Sequence, residues 1–309
     1  MQKTFEVQGT PEVEIRLSSG EIEVDATVDG RVEVELLAHD EESQQFVDEA
    51  RVELELVAHD EESQALVDNA RVEFQDHHGR PQLLVDVPQR KGGGFSFGFI
   101  FGRQGITCRI RAPHGSPLSV RTKSADIDAR GLLGSLSVAT ASGDVRADRV
   151  EGSVNVKSAS ADVEIREVQG SLNVQTASGD VSVDVVRGSV NVTTASGDVR
   201  VDDAHDSVNA NTVSGDQLLG AVVRGKISAH SVSGDVHIGV RRGSKVFLDC
   251  NTVSGDTTSE LELTPEAPSG DGPLVEIRAK TVSGDIQISR ASAPATDIHA
   301  SDNSQEVHA

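Results

Sequence analysis

From residue 152 the apolar residues fall on a nine-residue beat. GSVNVKSAS (152–160), ADVEIREVQ (161–169), GSLNVQTAS (170–178) and GDVSVDVVR (179–187) align on the third, fifth and eighth positions of each nonad. A third-and-fifth pair puts two side chains on one face of a short strand, and the step to the eighth predicts a bend before the next inward residue. Two such strand-and-bend units close one coil. The predicted fold is all-β: a parallel β-solenoid of 18-residue coils, two nonapeptide strand units per coil. Stacked coils bring strands about 4.8 Å apart. Valine dominates because β-branched side chains fit a pleated, half-buried surface.

The longer period is carried by serine. Ser124, Ser142, Ser160, Ser178, Ser196 and Ser214 recur once per coil, and Ser233, Ser254 and Ser283 follow at the longer steps of 19, 21 and 29. Each is followed by Gly or Ala and then Asp. Hexapeptide solenoids have coils of similar length, but the aliphatic residue they need at every sixth position is missing here. Calcium-loaded β-rolls share the nonapeptide period with the pattern G-G-x-G-x-D-x-U-x. One Gly per nonad, directly followed by Asp, matches that poorly.

The repeat begins early and is interrupted. SSGEIEVDATVDGRVEVEL (18–36) has the same form and predicts a first coil near residues 12–36. Residues 31–50 are then nearly copied at 51–70, with fifteen of twenty positions identical. Each copy reads as a strand and a short helix, with Asp40 and Asp60 as N-caps. Phe46 and Leu66 supply an apolar docking patch, and the helices are expected to cover a solenoid end. Strands are predicted near Val72–Phe74 and Leu83–Val87. The segment 89–105 places Phe95, Phe97, Phe99 and Phe101 on alternate positions, which is one side of a strand. Such a strip either seals the core or forms a docking or self-association surface; membrane contact is the weakest of its readings. TPEAPSGDGP (264–273) reads as a surface loop, and the polar stretch 291–309 as a disordered tail. The expected division is an N-terminal start and cap (1–114), a regular solenoid (115–290) and the tail.

Composition narrows the partners. The 309 residues carry a formal charge of −22 and no basic stripe, which argues against nucleic acid. Trp and Tyr are absent, so the core rests on Val, Ile, Leu and Ala. Cys108 and Cys250 are far apart, without metal-type spacing, and fit a reducing compartment or simple indifference to redox conditions. With neither a signal-like apolar run nor a membrane-length one, the expected location is the cytoplasm.

The repeated Ser-Gly-Asp raises the question of chemistry. A catalytic constellation is singular, with nucleophile, base and orienting group at different places; repetition on the coil period points to architecture. The aspartates are expected to accept hydrogen bonds from turn amides. Stacking spaces Asp144, Asp162, Asp180, Asp198 and Asp216 at coil intervals, where neighbours repel by ~0.9 kcal/mol in water. Bound cations would relieve that repulsion, so these five are weak candidates for calcium. With Ala or Val at the inward eighth position, the hydroxyls of Thr194 and Ser196 and their counterparts are expected outside, an array that raises ice binding as a minor reading. Glycosidase or lyase activity is disfavoured by the missing Tyr and Trp. There is no P-loop, dinucleotide fingerprint, H-E-x-x-H or G-x-S-x-G. No catalytic residue and no cofactor is expected.

The TASGDV and TVSGDI words, the SVNV strands between them and ARVEF before the regular coils resemble the bacterial β-strand-repeat family labelled putative adhesins, a domain of unknown function. The resemblance covers roughly residues 10–290. It implies a β-solenoid without established catalysis, and some relatives occur in proteins linked to cell-envelope stress. The expected function is a scaffold or protein-interaction module. The alternatives are a self-assembling protein of the bactofilin kind and a surface adhesin, which requires export.

Overall fold

In coil 170–187, Leu172 and Val174 of the strand Leu172–Gln175 point inward, and so do Val181, Val183 and Val186 of Val181–Val186. The computed structural model of the protein describes residues 2–7, 9–28, 30–39, 51–55, 82–86, 106–261 and 272–291. All 23 strands of these residues belong to one continuous sheet, wound as a solenoid with two strand ladders. The one-coil step is constant through the middle: Val154 faces Leu172, Val190 follows, then Val208. On the other ladder Val163, Val181 and Val199 stand in line. The interior is a column of stacked aliphatic side chains, so each coil buries its apolar face only against its neighbours.

The pattern of inward positions differs between the two nonads. In GDVSVDVVR the third, fifth and eighth residues are buried, as the sequence predicts. In GSLNVQTAS the inward residue after the strand is the seventh, Thr176, and Ala177 faces solvent. Thr194, Thr212 and Thr281 are likewise buried. The expectation of outward threonine hydroxyls is therefore corrected. At several of these corners the bent backbone offers the hydroxyl an acceptor: Thr176 Oγ1 donates to the Ser178 carbonyl at 2.8 Å, and Thr252 Oγ1 to the Gly284 carbonyl at 2.9 Å, whereas the Thr194 and Thr212 hydroxyls are buried without a partner among the described residues. Where that acceptor is present, the threonine methyl packs inside at little polar cost.

Both ends depart from simple succession. At the start, Glu12–Val28 lies between Leu118–Leu133 on one side and Gln82–Asp86 with Ile106–Pro113 on the other. The first coil in sequence is thus not the outermost. Beyond it the chain turns antiparallel: Arg31–Ala38 pairs with Ile106–Pro113, Gln2–Glu6 with Arg31–Ala38, and Arg51–Glu55 with Gln82–Asp86. At the other end, Gly225–His230 pairs with Leu274–Ser283, and that strand pairs with Lys245–Ser254. The last coil in sequence is inserted between its two predecessors, leaving 245–259 at the end of the stack.

A long polar side chain also enters the column of aliphatic residues. Gln217 is 1% exposed where its ladder neighbours are Val199 and Val236. Its Nε2 donates to the His230 carbonyl at 2.8 Å, but Oε1 is buried without a partner. The His230 carbonyl also accepts from the Thr212 amide, so it does not depend on the glutamine. Gln217→Val is expected to stabilise the protein by about 1 kcal/mol, read as a shifted urea midpoint at unchanged m-value. A loss of stability would mean that the amide does more than fill the column.

Candidate interaction surface

The Ser-Gly-Asp corner is where the coils lock together. The Ser196 amide donates to the Ala177 carbonyl of the preceding coil at 2.9 Å, and the Gly197 amide to the Ser214 carbonyl of the following one at 3.1 Å. The Asp198 amide donates back to Asp180 Oδ1 at 2.8 Å, while Asp198 Oδ1 accepts from the Asp216 amide at 2.8 Å. The same bond runs through the stack from Asp126 to Asp256. The aspartates are amide acceptors as expected, but the amide belongs to the next coil rather than to the same turn. Each aspartate thus supplies an Oδ1 acceptor to the next coil, while the stacked carboxylates repel one another.

Glycine is required for a steric reason. A Cβ on Gly197 would overlap the carbonyl oxygen of Gly179, and its φ of +148° belongs to a region that glycine alone adopts freely.

At these corners the Ser196 hydroxyl has no hydrogen-bond partner among the described residues, so no base activates it. Two serine–histidine contacts have no signature in the repeat words: Ser228 Oγ to His230 Nε2 and Ser289 Oγ to His237 Nε2, both 3.0 Å. Neither histidine has a carboxylate partner among the described residues, so the orienting member of a triad is missing from each. The candidate cation residues Asp144, Asp162, Asp180, Asp198 and Asp216 form a single-file row, and the described residues contain no group of three or more potential ligands around one point. Elsewhere the outer face is a lattice of exposed ion pairs, such as Arg109 to Glu23 at 2.6 Å and Arg200 to Asp202 at 2.8 Å.

What remains is an apolar surface. Every large hydrophobic residue that is exposed among the described residues lies between 213 and 282: Val213, Val232, Phe247, Val253, Leu274 and Val282. Four of them occupy one repeat position, the middle of T/S-V-S-G-D, and stack as Val213, Val232, Val282 and Val253 in spatial order. In earlier coils the same outward position holds Ala141, Ala159, Ala177 and Ala195. The change from TAS to TVS is visible in the sequence. The nine-residue beat assigns that residue to the inside, which hides its meaning.

The other predicted interaction residues, Phe46, Leu66, Phe95, Phe97, Phe99 and Phe101, lie outside the described residues, as do the duplicated helices and residues 292–309. The segment carrying the four phenylalanines joins Gln82–Asp86 to Ile106–Pro113, which both belong to the antiparallel end.

Two solved structures resemble the chain at low identity. One, described as a putative cell adhesion protein from Clostridium sporogenes, is 11% identical, covers 94% of this chain and 99% of its own, and has a TM-score of 0.29. The other, described as a putative adhesin from Bacteroides fragilis, is 13% identical, covers 93% and 96%, and has a TM-score of 0.38. No curated protein matches the chain. The Toastrack DUF4097 model matches residues 11–271, which spans the antiparallel end and nearly all of the coils, and the chain belongs to that family.

Proposed function

We propose that the protein is a non-enzymatic interaction module, a stiff acidic spacer that presents an apolar ridge at its C-terminal coils to a protein partner. The observation that carries this reading is the confinement of exposed large hydrophobics, among the described residues, to 213–282. A contiguous apolar patch on an otherwise charged surface marks an interaction site. The corner chemistry supports a spacer, because at the inner corners the backbone donors and one oxygen of the carboxylate are engaged in holding coils together. The Phe95–Phe101 strip is a second docking element in this reading, and the two unpaired cysteines suit a cytoplasmic setting.

The test is cross-linking in cells followed by mass spectrometry, comparing wild type with Val232→Ser/Val253→Ser/Val282→Ser. The expected result is loss of specific protein cross-links in the variant at an unchanged melting temperature, since the three side chains are exposed. An identical set of cross-links in both would overturn the assignment of the ridge.

A further inference from the structure

The strand Lys245–Ser254 is the outermost of its ladder, paired with Leu274–Ser283 on one edge and with nothing on the other among the described residues. From Gly179 onward each inner corner glycine donates its amide to the next coil, as Gly234 does to Ser283 and Gly284 to Ser254; Gly255 meets no next coil among the described residues. The aspartate ladder also ends here, with Asp256 bonded through its amide to Asp285 while its own carboxylate accepts no further amide among the described residues. An unpaired edge of this kind is a template for another strand. The inward residues Val246, Leu248 and Cys250 are only partly buried, as expected of a coil with no neighbour above it.

The side chains of this strand are arranged symmetrically about Cys250. Counting outward in both directions pairs Asp249 with Asn251, Leu248 with Thr252, and Phe247 with Val253. Phe247 and Val253 are 53% and 80% exposed. Charge follows the same logic, with Arg242 and Lys245 at the start of the strand, both without an ion pair among the described residues, and Asp256 just past its end. A parallel arrangement would set like charges together, whereas an antiparallel one sets Lys245 near the Asp256 of the other copy twice.

We infer that this edge docks a second copy of the same chain, the two Lys245–Ser254 strands pairing antiparallel about a twofold axis at Cys250. The inference rests on the interaction-module reading and names its partner. In this register each Phe247 meets the other copy's Val253, an apolar cross-strand pair, and the interface is isologous, as in most dimers. An anionic lipid surface fits less well, because unpaired backbone groups are costly in hydrocarbon.

The two cysteines make the register measurable. Directly opposed residues of an antiparallel pair have Cα atoms about 4.5–5.5 Å apart, within the span of a disulfide. Cys108 is fully buried and its thiol is pushed up to about 12, so it stays out of the reaction. The 309-residue chain is examined by sedimentation velocity over a wide concentration range and treated with diamide, which oxidises two thiols to one disulfide. The expected result is a dimer in solution and a covalent dimer on a non-reducing gel. Cys250→Ser should abolish the covalent product and keep the sedimenting dimer. Phe247→Lys/Val253→Lys should weaken dimerisation at least ~10-fold while the melting temperature is held. A folded wild type that stays monomeric overturns the inference, as does a dimer in which diamide fails to link Cys250. Monomers that sediment with phosphatidylglycerol vesicles also overturn it, in favour of a lipid surface. If wild type is monomeric but the ridge variant still loses cellular cross-links, self-docking fails and the interaction-module reading stands.

Discussion

Gly197→Ala should destabilise the protein by about 3 kcal/mol, while Ser196→Ala, one residue away, changes stability by less than ~0.5 kcal/mol. The contrast follows from what each residue touches. The Ser196 side chain is exposed, with no hydrogen-bond partner among the described residues, so its hydroxyl can be removed without breaking a contact. A methyl group on Gly197 would enter the space of the Gly179 carbonyl oxygen, and the residue would keep a φ of +148° that alanine resists. The obstacle is backbone, which cannot rotate aside as a long side chain could. Urea unfolding of the two variants measures the difference. Equal effects would mean that the close approach of coils relaxes easily, and a large effect at Ser196 would return the serine to the list of functional groups.

Deleting one whole coil should be tolerated, and deleting half of one should not. Removing residues 179–196 joins Ser178 to Gly197 and brings coil 161–178 against coil 197–214. Every stacked pair is then regenerated, because the deletion removes one full period of both ladders. Removing only 179–187 joins two T/S-x-S half-coils. It places Val190 where Val181 belongs, removes Asp180 from the row of amide acceptors, and exchanges the two ladders for everything downstream. The inward positions of the two half-coils differ, so buried Thr194 would fall where the other ladder has the half-buried Val185. Because solenoid stability is largely a sum of nearest-neighbour interfaces, the whole-coil deletion should unfold in one transition with a slightly lower m-value. The half-coil deletion should give two transitions or no soluble protein. Calorimetry and urea titration of both deletions check this, and a cooperative half-coil deletion would contradict the two-ladder coil.

Much of this architecture is legible in the residue pattern. Val181 and Val183, on one face of a strand and repeated one coil later by Val199 and Val201, leave few alternatives to a stacked strand. The fixed Asp after the corner is also legible as an amide acceptor. Three features are not. Thr176 reads as outward because the nine-residue beat puts the next residue, Ala177, inside, but the bent backbone supplies an acceptor inside the corner. That single misassignment also conceals the exposed Val213, Val232, Val253 and Val282. The inverted coil order at the C-terminal end leaves only an indirect trace, the longer spacings before Ser254 and Ser283, since local pattern says which residues face inward but not which coil lies next. The antiparallel pairing of Arg31–Ala38 with Ile106–Pro113 joins strands far apart in the chain, and alternation alone is the same for either strand direction.

In this fold the repeated Ser-Gly-Asp words hold coil to coil. The most direct measurement is the thermal stability of Asp180→Asn/Asp198→Asn/Asp216→Asn against wild type, with and without calcium. Asparagine keeps the Oδ1 acceptor and removes the repulsion between stacked carboxylates, and the Asn173–Asn191–Asn209 ladder already stacks amides at 2.9 Å in this fold. The expected result is a folded triple variant that melts at or above the wild-type temperature, with no response to calcium in either protein. A variant that melts well below wild type, alongside a wild type stabilised by calcium, would contradict this role and make the aspartate row a cation site.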